Sequence, residues 1–256
     1  MQEYKKPLFQ KGRVLKKEGL DSLRDFPYRF AEGCLSGWSD GILFGFDISY
    51  EKETEKNGQL VVDSGAVWYK GQVILTERET FSFSEFDRLI IVKLYIFNDS
   101  YTEDFYVCPL EIRLETEEAN GDGIELGRFR LSQGARLRKD YQDMHDFHTE
   151  YNTLDVTHVP YAGSGGITIS PVILQVFARM LMESGTDKEA DISFALMCLN
   201  HLPVSRECLL RYISCRLRKP YHEMEHSEIY ESLVQIVGSG NRGIQHRQRK
   251  DGPAVF

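Results

Sequence analysis

The spacing of apolar residues changes once along this chain, near Ser170. Before that point, from Ile42 to about Val159, apolar and polar residues alternate with a period near two, as in half-buried β-strands. After it, apolar residues recur every three or four positions, as on one face of an amphipathic helix. The pattern predicts an α+β protein in which antiparallel strands come first and helices follow.

Two stretches carry the strand prediction. Residues 89–97 are apolar at nearly every position, which predicts a central strand covered on both faces. Alternation over residues 106–114 predicts a half-buried strand, and Pro109 within it predicts a sheet edge or a bulge, because proline cannot donate a ladder hydrogen bond. Further turn residues, including Lys70 and Gly71, separate the strands at the spacing of a β-sandwich.

The second half of the chain predicts four short amphipathic helices that form a small bundle. Serine, threonine and proline residues mark their beginnings. These lie at Ser170 with Pro171, at Thr186 with Glu189, after Pro203, and at Ser227. Gly238 is expected to end the last helix.

These patterns predict three parts. A β-sandwich with an N-terminal docking segment covers about residues 1–160, and a helical bundle covers about residues 167–237. A glycine-rich hinge at residues 162–166 separates them, and residues 238–256 form a flexible basic tail.

Composition narrows the function classes. Hydrophobic residues make up 41% of the chain and charged residues 27%, so a fully disordered chain is not expected. The net charge of −8 makes nucleic-acid and anionic-membrane binding unlikely as general functions. No apolar run approaches the ~20 residues of a membrane-spanning helix, and the N-terminus lacks the apolar core of a signal peptide. We expect a cytoplasmic protein, or one incorporated into a phage-tail-like particle.

The five cysteines are odd in number and contain no C-x-x-C pair, which argues against a disulfide framework and a cysteine-rich zinc site. We expect them to be buried as small apolar residues.

A histidine cluster offers one enzymatic alternative. His145, His148 and His158, with the nearby carboxylates Asp143 and Asp146, could bind zinc or iron in a metal-dependent jelly-roll enzyme. The cluster lies in a polar stretch, however, and lacks the spacing of a cupin-type site. A solvated connecting loop is the favoured interpretation.

Other catalytic motifs are weak or missing. His222 and His226 are four residues apart but have no evident third ligand, and Ser164 lies in the glycine-rich stretch without a nucleophile-elbow motif. No P-loop occurs, and the glycines at residues 238–243 follow a helix instead of a strand. We therefore expect no enzyme activity and no cofactor. A nucleic-acid-binding accessory protein that acts through the basic tail remains an alternative.

The order of several segments resembles one family. Residues 8–30 precede GILFGFDIS, GAVWYKGQVIL and LGRFRLS, and a segment with Val159 and Pro160 then leads into the first predicted helix. This order is similar to that of TssK-like type VI secretion baseplate proteins and of phage-tail baseplate and receptor-binding adaptors, with their β-rich shoulder and helical neck.

The resemblance implies a non-enzymatic structural adaptor of a phage-tail-like or contractile injection baseplate. It implies docking to baseplate wedge proteins through the N-terminal segment, namely Leu8, Phe9, Tyr28 and Phe30. It also implies a neck that trimerises. The first predicted helix is apolar over more than one face, which favours packing against copies of itself, and the resemblance implies that three copies meet there, so we expect a homotrimer or unequal copies around a wedge. Its candidate oligomerisation residues are Ile173, Val176, Phe177, Met180 and Leu181.

Overall fold

The structure is a computed structural model that describes residues 5–54, 57–116, 123–200 and 203–248, with side chains described through Gly238. Eleven strands and five α-helices are described there. The strands are β1 (Gly41–Gly45), β2 (Ile48–Lys52), β3 (Gly58–Val62), β4 (Gly65–Tyr69), β5 (Gln72–Thr76), β6 (Glu79–Phe83), β7 (Leu89–Ile96), β8 (Ser100–Tyr101), β9 (Tyr106–Val107), β10 (Leu110–Glu115) and β11 (Ile124–Arg130). The helices are α1 (Lys17–Cys34), α2 (Pro171–Glu183), α3 (Glu189–Asn200), α4 (Arg206–Leu217) and α5 (His226–Gln248).

The strands form three antiparallel sheets, with the orders β1-β4-β5, β2-β3-β6 and β10-β7-β11, and a two-stranded ribbon of β8 and β9. All three sheets contribute to one apolar core, because alternate residues of each strand point inward. The core is represented by Ile42, Leu60, Val67, Val92 and Phe129. The α+β class, with sheets first and helices after them, is confirmed.

The central strand is also confirmed, since β7 lies between β10 and β11. The strand predicted over residues 106–114 is instead two pieces, β9 and β10, because the chain leaves the extended ladder at Cys108 and Pro109. Within the described chain β10 pairs with β7 alone, so the predicted edge position is confirmed.

Helices α2 to α5 enclose a second apolar core. Helix α2 begins at Pro171 as predicted, whereas α3 begins only at Glu189. The Thr186 hydroxyl accepts from the Lys188 amide at 3.3 Å and donates to Asp191 Oδ2 at 3.0 Å. Helix α5 continues through Gly238 to Gln248, so the expected stop at Gly238 is wrong. A single glycine costs only about 1 kcal/mol in a helix interior, and the hydrogen-bond ladder can continue past it.

The polar stretch that holds the histidine cluster is not a solvated loop. Its Tyr141, Met144 and Phe147 are buried against the helical core. The Tyr230 hydroxyl donates to the carbonyl of Met144, and Arg179 Nη2 donates to the carbonyl of Tyr141 at 2.8 Å. The prediction missed this because it weighed the many charged residues and overlooked the apolar residues between them.

The glycine-rich segment at residues 162–166 is not a free hinge. Ala162 is buried, the Ser39 amide donates to the carbonyl of Gly163 at 3.1 Å, and Trp38 forms an isolated bridge with Ser164. The segment is therefore bonded to the chain just before β1. Since Val156 also packs against both cores, the sheets and helices are in contact.

The cysteines are free, as expected, but only Cys198 is buried. Burial raises the pKa of its thiol to about 12, so it is neutral at physiological pH. Cys34 and Cys215 are exposed, which contradicts the prediction of burial for those two residues.

Candidate interaction surfaces

The N-terminal segment exposes most of its apolar side chains. Leu8, Phe9, Tyr28 and Phe30, the predicted docking residues, are each more than half exposed. None of the residues in α1 is buried, although Leu20, Leu23 and Phe26 follow helical spacing with Phe30. An amphipathic helix usually buries its apolar stripe, so the described chain leaves this stripe without its expected cover.

The 18-residue length of α1 was not predicted, and Pro27 lies inside the helix. Proline inside a helix removes one backbone hydrogen bond and usually ends or bends the helix. Here the helix continues from Lys17 to Cys34 with Pro27 inside it. The recurring apolar positions at residues 20, 23, 26 and 30 are the sequence signal that could have revealed it.

A cleft of about 820 Å³ opens beside the contact between α1 and the end strand of one sheet. Its walls are α1, strand β5 and the ribbon of β8 and β9. Apolar side chains face it from each wall, namely Pro27, Tyr28, Val73, Leu75 and Phe105. Sequence reasoning placed Tyr28 in a docking segment but gave no sign that these distant residues meet.

The residues proposed for oligomerisation lie mostly inside the chain. Ile173, Val176, Phe177 and Leu181 are buried in the helical core, and Met180 is partly buried against it. Side chains that fill this core are not available to a second copy. The exposed apolar residues of the helical part are others: Val172, Met182, Leu196, Met197 and Leu199.

Helix α3 carries most of that exposed apolar surface. Phe194, Ala195 and Cys198 point into the core, but Leu199 points outward and Leu196 is 53% exposed. The outer residues Ile192, Leu196 and Leu199 follow i, i+4, i+7 spacing. From Ile192 to Asn200 the helix has no charged residue, so it is apolar on both faces.

A buried carboxylate connects α3 to α4. Asp191 is fully buried, and it accepts hydrogen bonds from the Tyr212 hydroxyl at 3.0 Å and from Arg216 Nε at 2.8 Å. Burial and the adjacent Asp191 carboxylate raise the pKa of Tyr212, so Tyr212 remains a hydrogen-bond donor. Because buried charges need paired, hydrogen-bonded surroundings, this arrangement is structural.

The metal site that was considered as an alternative does not form among the described residues. Within the described ranges, no three His, Cys, Asp or Glu side chains are placed to hold a metal ion. His148 packs on the Tyr230 ring with centroids 4.3 Å apart, whereas His158 lies on another cleft beside His226. Asp143 and Asp146 accept backbone hydrogen bonds within their own turn. The structure therefore does not support the alternative of a metal-dependent enzyme.

His222 and His226, which are four residues apart in the sequence, have different surroundings. His222 is exposed and bonds Glu228 at 2.8 Å, and that hydrogen bond raises the pKa of His222. His226 starts α5 in a largely buried position, where desolvation and then the charge of Arg206 lower its pKa. Arg206 is held by Glu223 at 3.0 Å.

The predicted basic tail, residues 238–256, is only partly described. The backbone of α5 is helical to Gln248, whereas residues 249–256 lie outside the described residues. In the described part of the chain, no helix is both long enough and apolar enough to cross a bilayer.

Comparison with known proteins finds structural neighbours only. No family model matches the chain, and no curated protein matches it significantly. Among solved structures it is similar to a crystal structure of TssK, at 10% identity and a TM-score of 0.41, over 93% of this chain and 72% of that one. It is also similar to a chain of the type VI secretion system TssK-TssF-TssG baseplate subcomplex, at 11% identity and a TM-score of 0.40, over 94% of this chain and 100% of that one. These neighbours belong to the family that the order of sequence segments resembles.

Proposed function

We propose that this protein is a non-enzymatic structural adaptor of a phage-tail-like or type VI-like contractile baseplate. In this role it docks to wedge proteins through its N-terminal segment and associates with copies of itself through its helical part. The observation that carries the proposal is α1, an amphipathic helix of 18 residues with no buried residue. Exposed apolar surface of this kind is typical of a protein interaction site.

The second exposed apolar surface lies on the other half of the chain. The outer face of α3 is separated in sequence from α1 by the three sheets. Two such surfaces on separate packing units fit a protein that joins one partner to another. A homotrimer through the helical part is the form that the sequence resemblance favours.

Co-purification with wedge proteins encoded beside this gene tests the docking role. Phe30→Glu places a charge on the exposed stripe of α1, so we expect it to abolish co-purification while the circular dichroism spectrum stays unchanged. Glu18→Gln, on the same helix but outside both the stripe and the cleft, should leave co-purification intact. If wedge proteins fail to bind the unmodified chain, or bind Phe30→Glu equally well, the proposed docking is wrong.

A further inference from the structure

The inner wall of the α1 cleft is the end strand of a sheet. Strand β5 pairs with β4 from Tyr69↔Gln72 to Gly65↔Thr76, and no other strand of the described chain pairs with it. An end strand offers unpaired backbone N–H and C=O groups along its outer side. Their positions follow from the turn that joins the two strands.

That turn fixes which residues of β5 face outward. Lys70 and Gly71 both have positive φ, at 49° and 81°, as a two-residue type I′ turn requires. In such a hairpin the residues next to the turn, Tyr69 and Gln72, form a hydrogen-bonded pair. Hydrogen-bonded and non-hydrogen-bonded pairs then alternate along the ladder.

The alternation leaves Val73 and Leu75 opposite β4 residues with which they exchange no hydrogen bonds. Their amides and carbonyls therefore point away from β4, toward the open side of the sheet. Val73 and Leu75 are also the two apolar residues of β5 that line the cleft, and Leu75 is 68% exposed. Four backbone groups and two apolar side chains thus meet at the same place.

The opposite wall of the cleft is acidic. Between β8 and β9 the chain carries Glu103 and Asp104, of which Asp104 lines the cleft, and no basic residue occurs in this turn. Thr102 fixes the turn, because its hydroxyl donates to the carbonyl of Phe105 and accepts from the Phe105 amide at 3.0 Å. On α1 the cleft is lined by both signs of charge, Arg24 and Arg29 with Asp25 and Glu32, and Arg24 is paired with Asp25.

We propose that the cleft binds an extended segment of a partner protein, which adds to β5 as a further antiparallel strand. The backbone of that segment pairs with Val73 and Leu75, its alternate apolar side chains contact Tyr28 and Phe105, and its basic side chains face the acidic turn. Strand addition of this kind draws affinity from main-chain hydrogen bonds and specificity from alternate side chains. The proposal rests on the docking role of the α1 region proposed above, since Tyr28 lines the cleft.

A displayed library of random short peptides, screened against the full chain, tests the proposal without any baseplate protein. We expect enriched peptides to alternate apolar residues with lysine or arginine. Leu75→Pro removes only an outward amide, which an end strand tolerates, whereas Leu75→Val keeps it. Peptides should bind Leu75→Pro about tenfold more weakly than Leu75→Val, measured by fluorescence anisotropy.

Amide hydrogen exchange gives a second measurement that does not depend on how the proline variant folds. Addition of an enriched peptide to the unmodified chain should slow exchange at Val73 and Leu75. Exchange at Ile74, whose amide already bonds β4, should not change. Unchanged exchange at Val73 and Leu75 would overturn the proposal.

The remaining outcomes also decide the question. No enrichment, or equal binding to both Leu75 variants, refutes strand addition. Enriched peptides with helical apolar spacing would identify a helix as the occupant, and a dimer that Leu75→Pro dissociates would identify a second copy. If peptides bind but wedge proteins do not co-purify, strand addition is supported and the baseplate role is refuted. If wedge proteins co-purify but no peptide binds, only the baseplate role is supported.

Discussion

At the scale of single residues, Asp191 shows that a sequence pattern does not predict polar contacts between helices. Its position at the start of a helix is favourable for any acidic residue, because the N-terminal end of a helix attracts negative charge. Nothing in that pattern reveals that Tyr212 and Arg216 fold back over it from the next helix. Helical spacing specifies the inner face of these helices, and only Leu199 departs from it, whereas polar partners depend on how helices pack.

Asp191→Ala should destabilise the chain strongly, because it leaves the largely buried Arg216 guanidinium without its partner. We expect a loss of about 3–5 kcal/mol in unfolding free energy, measured by urea denaturation. Glu183→Ala, at an exposed position on α2, should change it by less than about 0.5 kcal/mol. A loss for Asp191→Ala as small as that of the control would show that the buried pair contributes little.

At the scale of elements, a single proline or glycine is a poor predictor of where a helix ends. Pro27 and Gly238 both lie inside helices, although each usually marks a helix end. The period-two and period-3.6 patterns predicted strands and helices more reliably, because they sum over many residues. The cleft between α1 and β5 could not be predicted from the sequence, because it is formed by residues that are distant in sequence.

The start of α5 makes the stability of the chain sensitive to pH. His226 has a pKa lowered first by desolvation and then by Arg206, with Glu225 and the His158 carbonyl acting in the opposite direction. The unfolded chain therefore protonates this histidine, near pH 6.5, before the folded chain does. Proton uptake favours the unfolded chain, so stability should fall as pH drops below about 6.5.

We expect His226→Gln to reduce this loss, measured as the difference in unfolding free energy between about pH 7.5 and about pH 5.5. His222→Gln is the matched control. Its pKa is raised by Glu228, so its own effect has the opposite sign, and its removal should not reduce the loss. Equal pH dependence in His226→Gln and the unmodified chain would exclude His226 as the cause.

At the scale of the whole molecule, the chain has two cores and two uncovered apolar surfaces. The sheets bury one core and α2 to α5 bury the other, with Tyr141, Met144 and Phe147 sealing the second. Sequence pattern predicted both cores, because burial within one chain follows from periodicity. It assigned the contact between copies to α2 because α2 is the most apolar helix, but the exposed residues lie mainly on α3.

Association through α3 is the prediction that separates an adaptor from a monomeric protein. Stable interfaces bury about 800 Å² on each partner, so the stripe of Ile192, Leu196 and Leu199 would be joined by exposed neighbours such as Val172 and Met182. Leu196→Glu puts a charge into that contact without touching the core. We expect light scattering to show a homotrimer for the unmodified chain and a folded monomer for Leu196→Glu.

Two further variants separate association from folding. Gln175→Glu adds a charge at an exposed position on α2 and should remain a trimer. Phe177→Glu should instead unfold the helical part, because the Phe177 ring is fully buried against Phe194 and Tyr212. A monomeric unmodified chain at micromolar concentrations would contradict self-association. A trimer that survives Leu196→Glu would exclude α3 as the contact, because a charge in the middle of a dry apolar stripe cannot be accommodated without water.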